Sequence, residues 1–91
     1  MQVKLYKGTP GFTLASFKDR LAEETEEVFY ELVDINCRDY PTDTSYDFLL
    51  GEVFDVMQVC YSFLRSNFTV GEIEDANVEH LNKMRSRYGK D

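Results

Sequence analysis

The chain has 91 residues, a net charge of −7 and a hydrophobic content of 43%. This length suits one domain, and the apolar content is high enough for a core. The acidic balance excludes a nucleic-acid binder that relies on a broad basic surface. No apolar run approaches membrane-spanning length, and the N-terminus lacks the apolar core of a signal peptide. Because Cys37 and Cys60 lack the spacing of a metal site, we expect a reduced, cytoplasmic protein.

The first predicted helix follows an N-terminal arm. Residues 1–12 alternate weakly and end in glycine and proline, which predicts an irregular or extended arm. A helix is predicted from about Thr13 to about Cys37, and its end is marked by Pro41. Apolar residues spaced three, four or seven apart define one stripe on this helix: Leu14, Phe17, Leu21, Val28, Leu32 and Ile35.

The second predicted helix is apolar around most of its circumference. It begins at Thr44 or Ser45, where Thr44 and Asp47 fit a capping box, and it ends near Ser66. A thin polar strip interrupts the apolar surface, consisting of Asp47, Gly51, Gln58 and Ser62. A helix that is apolar on nearly every side is expected in the centre of a bundle or at a subunit contact.

The third predicted helix begins at Thr69, where Thr69 and Glu72 fit another capping box, and it ends at Gly89. One side carries the sequence Ile73, Asn77, Leu81, Met84 and Tyr88. The chain is therefore predicted to be a single domain over residues 1–91, with an all-α fold of about three main helices. Because a small domain buries little of its own surface, we expect association into a homodimer or homotetramer.

Two acidic pairs, Glu24 with Glu27 and Glu52 with Asp55, carry the strongest chemical signal. Each pair is spaced i, i+3, so both carboxylates project from one face of a helix. A short connection favours antiparallel packing of the first two helices, which would bring the pairs opposite each other. Unpartnered carboxylates are costly in an apolar seam, and a hard divalent cation such as Mg²⁺ compensates them. The pattern predicts metal-dependent phosphate chemistry.

Other interpretations stay open at this point. The first pair alone is typical of a solvated helix face, and Glu52 could be protonated or paired with an arginine. On the third helix, Lys83 and Arg87 are able to bind phosphate oxygens. Cations near a helix C-terminus also interact favourably with the helix dipole, whether or not a phosphate binds. A catalytically silent acidic module that binds a basic partner is the alternative function. Helical bundles that bind two redox metals usually carry a Glu-x-x-His motif. The residue three positions before His80 is Asn77 and not glutamate, which disfavours such a bundle here.

The acidic motifs resemble those of the all-α nucleoside triphosphate pyrophosphohydrolases, the MazG-like group that includes dimeric dUTPases and phosphoribosyl-ATP pyrophosphohydrolase. Members of that group share the motif E-x-x-E, followed by a variable gap and the motif E-x-x-D. In this chain the two motifs are matched by EETEEV at 23–28 and GEVFDVM at 51–57. The Lys83-x-x-x-Arg87 motif is similar to a phosphate-contacting motif of MazG proteins. The resemblance covers residues 14–88. Leu49 stands where some members carry a lysine.

The resemblance implies a function and a site. Mg²⁺, with Mn²⁺ as an alternative, would be bound by Glu24, Glu27, Glu52 and Asp55, and a nucleoside triphosphate would be split into monophosphate and pyrophosphate. Glu24 is the candidate for orienting the attacking water, supported by Glu23 or Glu31. Lys83 and Arg87 would hold the β- and γ-phosphates. Three aromatic residues are candidates for stacking on a base: Phe12, Phe17 and Tyr30. For Phe17, packing in the core is the favoured role.

Overall fold

The described part of the chain is entirely helical apart from its N-terminal arm and short connections. The computed structural model describes residues 3–7, 11–37 and 43–89, with only the backbone of residues 43 and 44. These residues form three helices and no strand: α1 (Leu14–Cys37), α2 (Asp43–Asn67) and α3 (Val70–Tyr88). The predicted all-α fold is confirmed. None of the three combines the length and apolar character needed to cross a membrane.

The N-terminus of α1 is capped by side chains. The amide of Ser16 donates to the Thr13 hydroxyl at 3.1 Å, and the amide of Thr13 donates to the Ser16 hydroxyl at 2.9 Å. This reciprocal pair satisfies two donors that an uncapped helix leaves free. The helix α2 begins at Asp43, slightly before its predicted start. The Thr44 side chain and the predicted stop at Pro41 lie outside the described residues.

The two ends of α3 follow the sequence prediction. The Thr69 hydroxyl accepts from the amide of Glu72, and the Glu72 carboxylate accepts from the amide of Thr69 at 3.0 Å. At the other end Gly89 has a φ of 83°, and its amide donates to the carbonyl of Arg85. A residue with a Cβ is disfavoured in that conformation, which explains why glycine ends the helix.

Removing this cap has a defined expected effect. Thr69→Ala should lower the unfolding free energy by about 1 kcal/mol, which urea titration followed by circular dichroism measures. The backbone amide and hydroxyl of Thr69 lower the pKa of Glu72. A carboxyl group whose pKa is lower in the folded state than in the unfolded state stabilises the fold at pH values above the unfolded pKa. The contribution of Glu72 is therefore lost as pH falls through its folded pKa. Thr25→Ala, on the exposed surface of α1, is the control, and an equal loss in both variants would contradict the capping role.

The helices α1 and α2 form an antiparallel hairpin, which contains the small core. Near its open end the rings of Phe17 and Phe63 stack with centroids 4.1 Å apart and an interplanar angle of 5°. Ile35 and Val59 are the buried apolar side chains among the described residues. Phe17 is thus a packing residue, because its ring face is covered by α2.

The N-terminal arm lies against the C-terminal half of the polar strip of α2. The side chain of Gln58 accepts from the amide of Tyr6 at 2.8 Å and donates to its carbonyl at 2.7 Å. Further along, the amide of Phe12 donates to the Ser66 hydroxyl at 3.2 Å. A Cβ added to Gly11 would lie 3.3 Å from that hydroxyl oxygen, so glycine permits the close approach. The strip is therefore a docking surface for extended backbone.

The helix α3 leaves the hairpin instead of packing along it. It contacts the hairpin at its own N-terminal end, where a groove is lined by Leu64, Phe68, Glu72, Ile73 and Ala76. The radius of gyration is 15.9 Å, whereas a compact chain of this length has about 12 Å. Most of the predicted apolar stripe on α3 is left uncovered by the described residues, and Tyr88 at its end is exposed.

Candidate metal centre

Four carboxylates from the middle of the hairpin converge on one point. Glu24 and Glu27 come from α1, and Glu52 and Asp55 come from α2. One oxygen from each residue can be chosen so that all four lie within 4.8 Å of one another. The convergence follows from the i, i+3 spacing on both helices together with their antiparallel packing. The structure therefore brings together the four residues that the sequence selects.

The cluster contains buried oxygen atoms without a hydrogen-bond partner. The side chain of Glu24 is only 9% exposed, and its Oε2 atom has no partner among the described residues. The Oε2 atom of Glu52 is likewise buried and unpaired. Buried polar atoms are nearly always satisfied, so two such atoms in one cluster require an explanation. Either a proton shared between neighbouring carboxyl groups or a cation bound by several of them would satisfy these atoms.

One arginine neutralises part of this charge. Nη2 of Arg20 lies 3.2 Å from Oε1 of Glu24, and Nη1 lies 3.4 Å from Oε2 of Glu23. Arg20 is half exposed, so solvent screens the pair and its net contribution to stability is small. Arg20 was not among the predicted site residues, although its i, i+4 spacing to Glu24 in the sequence indicates this contact. One guanidinium against four carboxylates leaves the cluster strongly negative.

The pKa values respond to this crowding. Burial of Glu24 raises the pKa of its carboxyl group, and the nearby charge of Glu27 raises it further. The pKa of Glu52 is raised first by hydrogen bonding with the Glu27 carboxyl group, then by burial and by the neighbouring negative charges. Both groups therefore hold protons more tightly than free glutamate. A bound cation would reverse this effect, because it favours the ionised form.

The donor set matches a hard divalent cation. All four groups offer oxygen, which Mg²⁺ and Mn²⁺ prefer, and none offers the nitrogen or sulfur typical of zinc sites. In octahedral Mg²⁺ sites, ligand oxygens are about 3 Å apart when adjacent and about 4 Å apart when opposite. Four oxygens within 4.8 Å need little adjustment to reach these spacings. The residues fit the cation, and cation binding itself stays a prediction.

The other predicted site residues lie away from the cluster within one chain. Lys83 and Arg87 belong to α3, which diverges from the hairpin, and among the described residues neither forms an ion pair with the four carboxylates. Tyr30 is exposed, and its hydroxyl donates to Glu26 at 3.0 Å. Glu23 accepts from Arg20 on the outer surface of α1. The structure thus brings the acidic residues of the predicted site together and leaves the basic residues apart from them, and the site itself stays a prediction.

Comparisons with known proteins identify no relative of this chain. No protein-family description, curated protein or solved structure matches it. The resemblance to MazG-like hydrolases therefore rests on the two acidic motifs and their arrangement. Function has to be inferred from the site, since a helical fold by itself is compatible with many activities.

Proposed function

We propose that this chain is a MazG-like, Mg²⁺-dependent nucleoside triphosphate pyrophosphohydrolase. The observation that carries the proposal is the convergence of four carboxylates that include two buried, unpaired oxygens. An acidic surface face would leave such oxygens hydrated. The proposal extends to a cytoplasmic location, where nucleoside triphosphates are available as substrates.

The four carboxylates would hold the cation, with Mn²⁺ as a substitute for Mg²⁺. When bound, the cation would supply positive charge to triphosphate oxygens and to the charge that builds toward the transition state. Because Glu24, Glu27, Glu52 and Asp55 carry up to four negative charges, they would also repel a triphosphate in the absence of the cation. Substrate binding should therefore depend on the cation.

Glu24 would orient the attacking water. Arg20 lies 3.2 Å from Oε1 of Glu24 and would help to orient the carboxylate, and the Glu24 oxygen that does not contact the cation would accept a hydrogen bond from the water. The water oxygen would form a bond to the α-phosphorus as the bond from that phosphorus to the bridging oxygen breaks. The water proton would pass to the Glu24 carboxylate, and pyrophosphate would leave with the bridging oxygen. The products would be a nucleoside monophosphate and pyrophosphate.

Lys83 and Arg87 keep their proposed role of binding the β- and γ-phosphates. Since α3 diverges from the hairpin of its own chain, this role requires them to reach a cluster in an assembled homodimer or homotetramer. The proposal thus includes self-association.

The paired change Lys83→Ala with Arg87→Ala should raise KM for the triphosphate roughly 10- to 100-fold, because charge-assisted hydrogen bonds to phosphate are lost. Steady-state kinetics measures this effect, and cation-induced thermal stabilisation should remain. Lys18→Ala removes an exposed cation from α1 and serves as the control. An unchanged KM in the double variant would remove these two residues from the site.

A nucleotide screen tests the function directly. The protein is incubated with each ribo- and deoxyribonucleoside triphosphate in Mg²⁺, and pyrophosphate and monophosphate are quantified. We expect equimolar release of both from at least one nucleotide and none in the presence of a chelator. Release of orthophosphate would contradict attack at the α-phosphorus. Absence of turnover with every nucleotide would favour the alternative, a catalytically silent acidic interaction module.

A further inference from the structure

The N-terminal arm is bound to a row of α2 side chains that leads to the acidic cluster. Four residues at intervals of three, four and four lie on one side of this helix: Asp55, Gln58, Ser62 and Ser66. The arm is hydrogen-bonded to this row at Gln58 and at Ser66. The next member of the row before Gln58 is Asp55, which belongs to the four clustered carboxylates. The row therefore connects the binding site of the arm with the cluster.

The two anchor points of the arm fix its direction. The backbone of Tyr6 is bound to Gln58, and the amide of Phe12 is bound to Ser66, so the arm and α2 run in the same direction. The chain from residue 3 to residue 6 contains no helical turn. The residues that precede Tyr6 are therefore directed toward the middle of α2, where the cluster lies.

Lys4 is expected at the level of the cluster. It lies two residues before Tyr6, a distance of about 7 Å at about 3.3 Å per extended residue. Along α2, with a rise of about 1.5 Å per residue, Asp55 lies about 4.5 Å and Glu52 about 9 Å before Gln58. The backbone of Lys4 is thus expected beside the turn that joins these two acidic residues, and the four-carbon side chain adds further reach.

The acidic cluster is open on the side of the arm. Glu27 and Asp55 are its exposed members, whereas Glu24 is buried and Glu52 is half-buried. We call the open side between Glu27 and Asp55 the entrance of the cluster. A substrate group that joins a cation in the cluster would approach through this entrance. Because Asp55 also belongs to the row that binds the arm, the arm borders the entrance.

The charged group of Lys4 is available to an anion. Lys4 is exposed, whereas its neighbour Leu5 is half-buried. Successive side chains of an extended chain point to opposite sides, so the contact of Leu5 with the hairpin leaves Lys4 on the solvent side. Within residues 3–7, 11–37 and 43–89, Lys4 forms no ion pair. An ammonium group with three donors beside the entrance is suited to a phosphate oxygen.

We propose that Lys4 binds a phosphate group of the substrate at the entrance of the acidic cluster, and that Gln58 positions it there by holding the arm. This inference rests on the proposed function, because it assigns a further contact to the same triphosphate. Lys83 and Arg87 need an assembly of subunits to reach a cluster, whereas Lys4 would act in its own chain. Its positive charge would reduce the repulsion between the triphosphate and the exposed carboxylates.

Calorimetric titration of the full chain with inorganic tripolyphosphate in Mg²⁺ tests this contact without depending on turnover. Lys4→Gln should weaken Kd about 10-fold, because a charge-assisted hydrogen bond is lost. It should raise KM by a similar factor for any nucleotide that is hydrolysed. Lys4→Arg keeps the charge and should retain most of the affinity. Lys7→Gln is the matched control, since Lys7 is exposed on the same arm but lies on the far side of Tyr6 from the cluster.

A second variant tests the role of the arm. Gln58→Ala removes the anchor of Tyr6 and leaves Lys4 in the chain, so it should weaken tripolyphosphate binding about as much as Lys4→Gln. The double variant should bind no more weakly than either single variant, because residues that act through one contact have non-additive effects. Additive effects would contradict the positioning of Lys4 by the arm. Thermal stabilisation by Mg²⁺ alone should be unchanged in Lys4→Gln.

The outcomes separate this inference from the proposed function. Hydrolysis with a wild-type KM and Kd in Lys4→Gln would overturn the role of Lys4 and leave the function standing. Lys4-dependent binding of tripolyphosphate without any hydrolysis would support Lys4 and overturn the hydrolase. A wild-type protein that neither binds tripolyphosphate nor hydrolyses a nucleotide would overturn both.

Two further results would also overturn the role of Lys4. Equal weakening in Lys7→Gln would mean that the arm attracts anions only through its general charge. A stronger response to Mg²⁺ in Lys4→Gln, with unchanged binding of tripolyphosphate, would mean that Lys4 only screens the carboxylates.

Discussion

Glu52→Gln is expected to abolish nucleotide hydrolysis and the response to Mg²⁺ together. The substitution keeps the size and shape of the side chain but removes a carboxylate that lies within 4.8 Å of the other three. Loss of a metal ligand removes several kcal/mol of transition-state stabilisation, which corresponds to a fall in kcat/KM of at least about 10³-fold. Pyrophosphate release measures the first effect, and thermal unfolding with and without Mg²⁺ measures the second.

A matched control separates this effect from a general loss of negative charge. Glu79→Gln removes the same charge from the exposed surface of α3 and should leave both activity and the Mg²⁺ response intact. Because the neutral amide relieves repulsion in the cluster, metal-free Glu52→Gln should be at least as stable as the wild type at neutral pH. Full activity in Glu52→Gln would refute the assignment of the site.

The geometry of the acidic cluster could be predicted from sequence because local rules determine it. The i, i+3 spacing fixes which carboxylates share a face, and a short connection between two long helices favours antiparallel packing. Those two facts are enough to place Glu24 near Asp55. The ends of α3 were equally predictable, since Thr69, Glu72 and Gly89 act through hydrogen bonds and backbone angles within a few residues.

The position of α3 could not be predicted in the same way. Its stripe from Ile73 to Tyr88 indicates that one side should be covered, but periodicity does not say by which surface. The arm posed a similar problem, because its contacts with Gln58 and Ser66 join residues more than 50 positions apart. Gln58 and Ser62, the neutral members of the polar strip on α2, were the available signal. Neutral hydrogen-bonding groups beside an apolar surface are suited to receive extended backbone.

Divalent cations are expected to stabilise the protein strongly and in a pH-dependent manner. At a free Mg²⁺ concentration 100 times its Kd, binding to the folded state contributes about 2.7 kcal/mol. For a domain of this size, that raises the melting temperature by roughly 10–20 °C. The stabilisation should be largest at neutral and alkaline pH, because the cation binds the ionised carboxylates and competes with protons.

Without the cation, the same carboxylates should make the protein less stable as pH rises. Glu24 and Glu52 have raised pKa values, so above the ordinary value of 4.5 the folded state holds more protons than the unfolded state. The stabilisation that these two groups contribute is therefore complete below pH 4.5. It decreases as pH rises above that value, and it is absent above their folded pKa values. Glu72, whose pKa is lowered in the folded state, instead loses its stabilising contribution as pH falls.

Melting curves between pH 5 and pH 8, with and without Mg²⁺, separate the two contributions. The Mg²⁺-induced shift should increase with pH in the wild type and be absent in Glu52→Gln. Sodium at equal ionic strength is the control, because a chain with a net charge of −7 is also stabilised by simple screening. An equal shift with sodium, or a shift that does not change with pH, would mean that the four carboxylates do not form a cation site. In that case the buried oxygens of Glu24 and Glu52 would have to be satisfied by protonation, which requires the metal-free protein to lose stability as pH rises through the raised folded pKa values of these two groups.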